Sequence, residues 1–346
     1  MDLATLDLPT LWFGIIAFLF VGYFVLDGFD FGVGMSLPFL GGVGKNRDDV
    51  TRRQIINTIG PVWDLNETWL IVAGACLFAS FPEWYASLFS GFYLALLIIL
   101  LTLIMRGVSF EYRHQGKSEK WKAGFDRMIV IGSAAPAFLW GVAFANIVQG
   151  VALDERHVFI GTVFDLFNGY GVLGGLTTLL LFFTHGATFI ALKTDGQLRS
   201  DARRLAFRAG VVTLVVAAVF LVWTVVAHFS IAVLVLAVLA AVSLVLSIGA
   251  NLRGREGWAF TFGVTTTLFA VVTLFAALFP NVLPSTIDPA FSLTIANASS
   301  TQYTLTIMSW TALVALPLVM LYQGWTYWIF RKRVTRASIE GAPVHA

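Results

Sequence analysis

Leu26-Asp27-Gly28-Phe29-Asp30-Phe31-Gly32-Val33-Gly34 and Gly60-Pro61-Val62-Trp63-Asp64-Leu65-Asn66-Glu67-Thr68-Trp69 each lie inside a long apolar run. Read as membrane-spanning helices, these runs carry four carboxylates, Asp27, Asp30, Asp64 and Glu67, into the hydrocarbon zone. Ionisable groups at that depth are costly to keep, so each is a functional candidate unless a structural partner accounts for it.

Composition sets the class. Apolar residues make up 58% of the chain and charged residues only 12%, against about 25% charged in a soluble domain. The expectation is an all-α polytopic membrane protein. The one cysteine, Cys76, excludes a disulfide framework and a Cys-rich metal site. The first apolar run lacks a basic region and a small-residue cleavage site before it, so it reads as a retained helix.

A bilayer core needs about 20 apolar helical residues per crossing. On that measure about nine spans are expected, over roughly 10–39, 55–80, 84–110, 122–150, 161–192, 203–227, 229–251, 257–280 and 302–331. The break between the sixth and seventh rests only on Ala227-His228-Phe229-Ser230. One integral domain over 1–346 follows, divided into a first bundle of four helices (about 10–150), a second of four (about 161–280), a last peripheral helix and a tail at 332–346. The connection at about 281–301, which holds Pro284 and Pro289, is expected to fold over the outer face.

Charge orients this frame. Lys and Arg accumulate in cytoplasmic loops. Of 22 basic residues, all except Arg156 fall in or beside the first, third, fifth and seventh connections or the C-terminal tail. The N-terminus is therefore expected outside and the C-terminus in the cytoplasm. Distributed basic loops of this kind serve topology and contact with anionic membrane lipids, and no nucleic-acid-binding arrangement is present.

Asp27 and Asp30, three apart, share a helix face, and Asp64 and Glu67 repeat the spacing. At about 1.5 Å per residue from the cytoplasmic ends near Phe39 and Ile55, Asp30 should stand level with Asp64 and Asp27 with Glu67. Burial disfavours an ionised carboxyl, so two such rungs could hold and pass protons. The structural alternative is neutralisation by Arg106 at the end of the third span, or hydrogen bonding to Asn57, Asn66 or Thr68. Gly28 and Gly32 form a small-residue face suited, with Gly34, to close helix packing. Pro61 can break the second span and free a carbonyl.

Histidines are few. A haem held by two imidazoles needs a pair at one depth, yet only His185 lies clearly in a span. His157 and His228 fall on the outer side, His114 and His345 on the inner side. Trp63 and Trp69 sit within the acidic helix and read as packing.

Together, Asp27 to Gly34, Pro61-Val62-Trp63-Asp64 with Asn66 to Leu70, Ser90-Gly91-Phe92-Tyr93, Gly141 to Asn146 with Gln149-Gly150, and Ser299 to Leu305 resemble subunit II of the cytochrome bd quinol oxidase family. The likeness covers almost the whole chain. Leu65 departs from it, standing where glycine is expected. The resemblance implies a prokaryotic terminal oxidase that oxidises quinol and reduces dioxygen to water. It puts haem b and haem d in subunit I, the partner of this chain, and allows a structural quinone or lipid here and a small accessory subunit. It further implies that Asp64 feeds a cytoplasmic proton path at the subunit interface, with Asp27 and Asp30 as the acidic pair of the first helix. A proton- or cation-coupled secondary transporter is the competing reading, although the acids have no counterpart in the second half of the chain. A third is a structural subunit whose acids only accept hydrogen bonds.

Overall fold

The computed structural model describes residues 7–341, so His345 and the end of the tail lie outside the described residues. The chain begins with α1 (Leu8–Leu40), α2 (Asp49–Asn57), α3 (Trp63–Ser80), α4 (Pro82–Gly91) and α5 (Tyr93–Tyr112). There follow α6 (Glu119–Gln149), α7 (Gly169–Lys193), α8 (Gly196–Ala227), α9 (Ile231–Leu252) and α10 (Glu256–Leu278). The long connection after α10 holds α11 (Ile295–Ala298), and α12 (Gln302–Ile329) and α13 (Arg336–Glu340) follow. Among the described residues eight helices are long and apolar enough to cross a bilayer: α1, α5 through α10, and α12. The expected second span contains α3, 18 residues long with a polar start, packed against α1 and α12.

Three expected spans change shape. The second does not run unbroken from 55. After α2 the backbone turns over residues 58–62, because Pro61 has no N–H to give and Thr58 Oγ bonds back to the Ile55 carbonyl at 2.7 Å. In place of one helix over 84–110, α4 and α5 meet at Phe92, and only α5 spans. The fifth begins at Gly169 rather than 161. Thr162 and Asp165 cap a short 3-10 turn over Val163–Phe167, and Asn168 then accepts the Gly171 N–H at 2.8 Å to start α7. The break between the sixth and seventh spans is where it was read, with Ser230 capping α9 at Val233.

The central helix is α1, which touches α3, α6, α7, α10 and α12. Its inner half is almost wholly buried, Asp27 through Leu37. A side chain at Gly32 would collide with the Phe182 carbonyl and Gly186 of α7, and one at Gly186 would strike Gly32 in return. Phe182 similarly fills the space beside Gly28, and Ser133 of α6 that beside Gly34. Small residues thus let three backbones approach, as van der Waals packing in a bilayer requires. Nearer the outer side, rings of Phe20, Phe24, Trp140 and Phe144 interlock edge to face, with centroids 5.0 Å apart for Phe20 and Phe144.

At one end of the helices the long connection pairs Asn281–Leu283 with Leu293–Thr294 in an antiparallel ladder and includes α11. Bonds from Val151 N to the Pro284 carbonyl (3.0 Å) and from Ser300 N to the Ser80 carbonyl (2.8 Å) tie it down. At the opposite end Asp126, 3% exposed, accepts from Arg47, Arg52 and Arg113 at 2.6–2.8 Å. One acid on α6 therefore clamps the connection after α1, helix α2 and the end of α5.

Candidate functional site: a buried acid cluster around Arg106

Helix α1 runs straight through Asp27 and Asp30, whose side chains are both fully buried. Opposite them, α3 restarts after the Pro61 turn. At 100° per residue, Asn66 and Glu67 lie about 200° and 300° around the helix from Asp64. Asn66 is fully buried, the Glu67 side chain is 23% exposed, and Asp64 faces outward. From α5 comes Arg106, fully buried, its helix drawn close to α6 because a side chain at Gly132 would strike the Thr102 carbonyl and Arg106 itself.

One guanidinium nitrogen of Arg106 donates to Asp27 Oδ1 at 2.6 Å and to Glu67 Oε2 at 3.3 Å. The guanidinium carbon stands 4.4 Å from the Phe31 ring centroid, a cation–π contact. Asp30 makes no ion pair. Its Oδ2 accepts from Asn66 Nδ2 at 2.8 Å, while Asn66 Oδ1 accepts from Tyr327 OH (2.7 Å) and Gln323 Nε2 (3.1 Å) of α12. Buried Asp27 Oδ2, Asp30 Oδ1, and Arg106 Nε and one terminal nitrogen have no protein partner.

The Asp27–Glu67 rung is therefore present and bridged by Arg106. The Asp30–Asp64 rung is not. Depth counted from Ile55 assumed continuous helix, and the turn over residues 58–62 rotates and shifts the helix so that Asn66 meets Asp30. The counter-ion reading of Arg106 fits the geometry for Asp27 and Glu67. Gln323 and Tyr327 were missed. Their signal was a polar pair at i, i+4 in an otherwise apolar helix, one face meeting a neighbour.

Asp27 and Glu67 share one guanidinium here, and Asp30 is buried one turn further along α1. Burying more carboxylates than cations is costly unless protons or hydrogen bonds neutralise the excess. Exposure falls in steps from Asp64 through Glu67 to the fully buried Asp27 and Asp30.

A haem does not fit the one histidine in a span. The His185 ring stacks on Phe260 at 4.6 Å, with planes 7° apart, and a second ring, Phe29, meets it edge-on at 5.9 Å. Gly263 of α10 closes against its Nδ1. Among the described residues no three His, Cys, Asp or Glu side chains converge as a metal site. Trp69 packs over Gly22, and Trp63 lies 5.2 Å from the Phe110 ring.

The sequence model of the cytochrome bd terminal oxidase subunit II family matches residues 8–330. The chain belongs to that family. Over 95% of its length it is 41% identical to the cytochrome bd ubiquinol oxidase subunit 2 of Bacillus subtilis (strain 168), covering 97% of that protein. It is 36% identical to the cytochrome bd-I ubiquinol oxidase subunit 2 of Escherichia coli (strain K12), covering 95% of this chain and 96% of the relative. Among solved structures, a chain of the bd oxidase from Geobacillus thermodenitrificans superposes with a TM-score of 0.75 at 18% identity, covering 94% of this chain and all of that one. Membership makes the chain a multi-pass membrane subunit of an oxidoreductase complex that carries haem and at least one partner subunit. The transporter reading finds no support.

Proposed function

We infer that the chain serves a complex that oxidises quinol and reduces dioxygen to water, and that its acid cluster takes up protons for that reaction. The observation that supports this reading is the stepwise burial of four acids on α1 and α3, two of them bonded to one fully buried guanidinium. In this reading Asp64, on the outward face of α3, receives a proton where a partner chain docks. Glu67, one turn on, shares the field of Asp64 and passes the proton to the Arg106–Asp27 pair, with Asp30 alongside. Arg106 keeps the waiting carboxylates from repelling one another without taking a proton itself.

The haems supply electrons and bind dioxygen when present. Haem b and haem d are assigned to subunit I, since the packing around His185 gives them no place here. The partner is subunit I, and a small accessory subunit and a structural quinone or lipid are compatible with the exposed apolar faces. The one-sided distribution of Lys and Arg supports an outer N-terminus and a cytoplasmic C-terminus in a prokaryotic plasma membrane. The nine passes group as two four-helix bundles, α1, α3, α5, α6 and α7 through α10, with α12 outside them.

The test is Asp64→Asn in an intact complex shown to retain its subunits and haems. Steady-state dioxygen consumption should fall while haem reduction by quinol keeps its rate. Unchanged turnover would remove Asp64 from the path.

A further inference from the structure

Where α2 and α3 part, the inner side of the protein holds a cavity of about 990 Å³, at the upper end of the usual range for ligand sites. Lys193, Arg331, Lys332 and Arg333 line it, and no acidic side chain does. The neighbouring basic residues behave differently. Arg47, Arg52 and Arg113 are paired with carboxylates, and so is Arg199. Among the described residues none of the four cavity cations lies in an ion pair.

Their positions are nevertheless fixed. Lys193 donates to the carbonyls of Phe330 and Lys332, and Arg333 donates to the Thr194 carbonyl at 3.1 Å. Arg331 lies 4.4 Å over the Trp328 ring. The backbone segment itself is pinned by Val334 N to the Lys193 carbonyl at 2.7 Å and by Gln54 to the Val334 carbonyl at 2.8 Å. Four uncompensated cations held in one concavity repel each other and attract an anion of more than one charge or acceptor. The rest of the wall is largely apolar, including Val62, Phe189, Phe260 and Ile329. It lies where α7, α10 and α12 meet the basic segments that mark the membrane surface. Cationic rim and apolar wall together match an amphiphile.

We propose that this cavity binds the phosphate headgroup of an anionic phospholipid, with its acyl chains against the apolar wall. The site ties the end of α12 to α7 through the lipid. A free phosphate would satisfy the cations alone and leave the apolar wall uncovered. An acidic segment of another subunit is the competing occupant.

Native mass spectrometry of the intact complex, with phosphatidylglycerol or phosphatidylcholine titrated into the detergent, reads the site directly. Wild type should take up phosphatidylglycerol in preference, and excess inorganic phosphate should not displace it. Arg331→Gln with Lys332→Gln, both exposed and outside the protein's own ion pairs, should weaken the first binding step about 30-fold, at about fivefold per charge removed. Lys193→Gln should weaken it by about fivefold, and Lys120→Gln, elsewhere on the inner surface, should not. Equal binding by wild type and the double variant overturns the proposal. Displacement by phosphate does so in favour of a free anion. Failure of wild type to take up the lipid does so in favour of a protein occupant.

Discussion

Arg106 is the residue on which the cluster turns. Removing it leaves Asp27 and Glu67 in an apolar interior without their cation, the costly way to break a buried pair, about 3–5 kcal/mol. Arg106→Ala should therefore lower the thermal unfolding midpoint of the complex or its yield, while Arg106→Ala combined with Asp27→Asn should cost less than the two changes summed, as a double-mutant cycle would show. Additive losses would mean that the pair is not coupled. At this scale the sequence was half legible. The spacing of Asp27, Asp30, Asp64 and Glu67 marked the acids, and Arg106 was a candidate cation. What could not be read was the facing of each side chain. A five-residue turn after Asn57 decides that Asn66, not Asp64, reaches Asp30.

Helix packing rests on contacts that a single methyl group would break. Gly32 and Gly186 meet backbone to backbone where α1 crosses α7. Gly32→Ala should destabilise by about 1–3 kcal/mol through overpacking, seen as a lower unfolding midpoint. Gly74→Ala on α3 is the control, since no atom lies within 4 Å of the added carbon. It should be neutral or stabilising by about 0.5–1 kcal/mol from helix propensity. Equal losses at both positions would contradict the close-approach account. Hydropathy located these helices well because a bilayer fixes their length. It failed where polar caps intervene: at Thr162, Asp165 and Asn168 before α7, and at the Pro61 turn. Caps depend on which side chain finds which amide, and that is set by the folded backbone.

Across the whole molecule, the surface that carries the basic loops is stitched by ion pairs that net charge concealed. Asp126 gathers three arginines, and Asp48 joins α2 to α13 through Arg336 at 2.9 Å. Against partial burial, which pushes it up, hydrogen bonds from Thr51 and Arg336 hold the Asp48 carboxyl down at about 2. Asp49 is likewise lowered, its burial outweighed by Lys122 and Arg113. A carboxyl held below its unfolded value of 3.8 contributes stability above that value, and the contribution is lost as pH falls toward the folded value, about 2 for Asp48. The unfolding midpoint should thus drop on acidification through this window, and Arg336→Gln should reduce the drop. An identical acid profile in the variant would exclude the Asp48 contact. The basic loops could be read as lying together on one side. Their partners were illegible because Asp126 and Asp49 are far in sequence from the residues they bind.

The central claim is that the acid cluster conducts protons for dioxygen reduction, and Glu67 tests it most directly. Glu67, three residues on from the outward Asp64, is bonded to the Arg106 that holds Asp27. In the intact complex, a pH-indicator dye in the medium reports proton uptake during a single turnover begun by adding dioxygen to the reduced enzyme. Glu67→Gln keeps the size and a hydrogen bond to Arg106 but cannot carry a proton. The account predicts that uptake slows by about a hundredfold, with subunits, haem content and quinol-driven haem reduction unchanged. Proton uptake at the wild-type rate in that variant would contradict it.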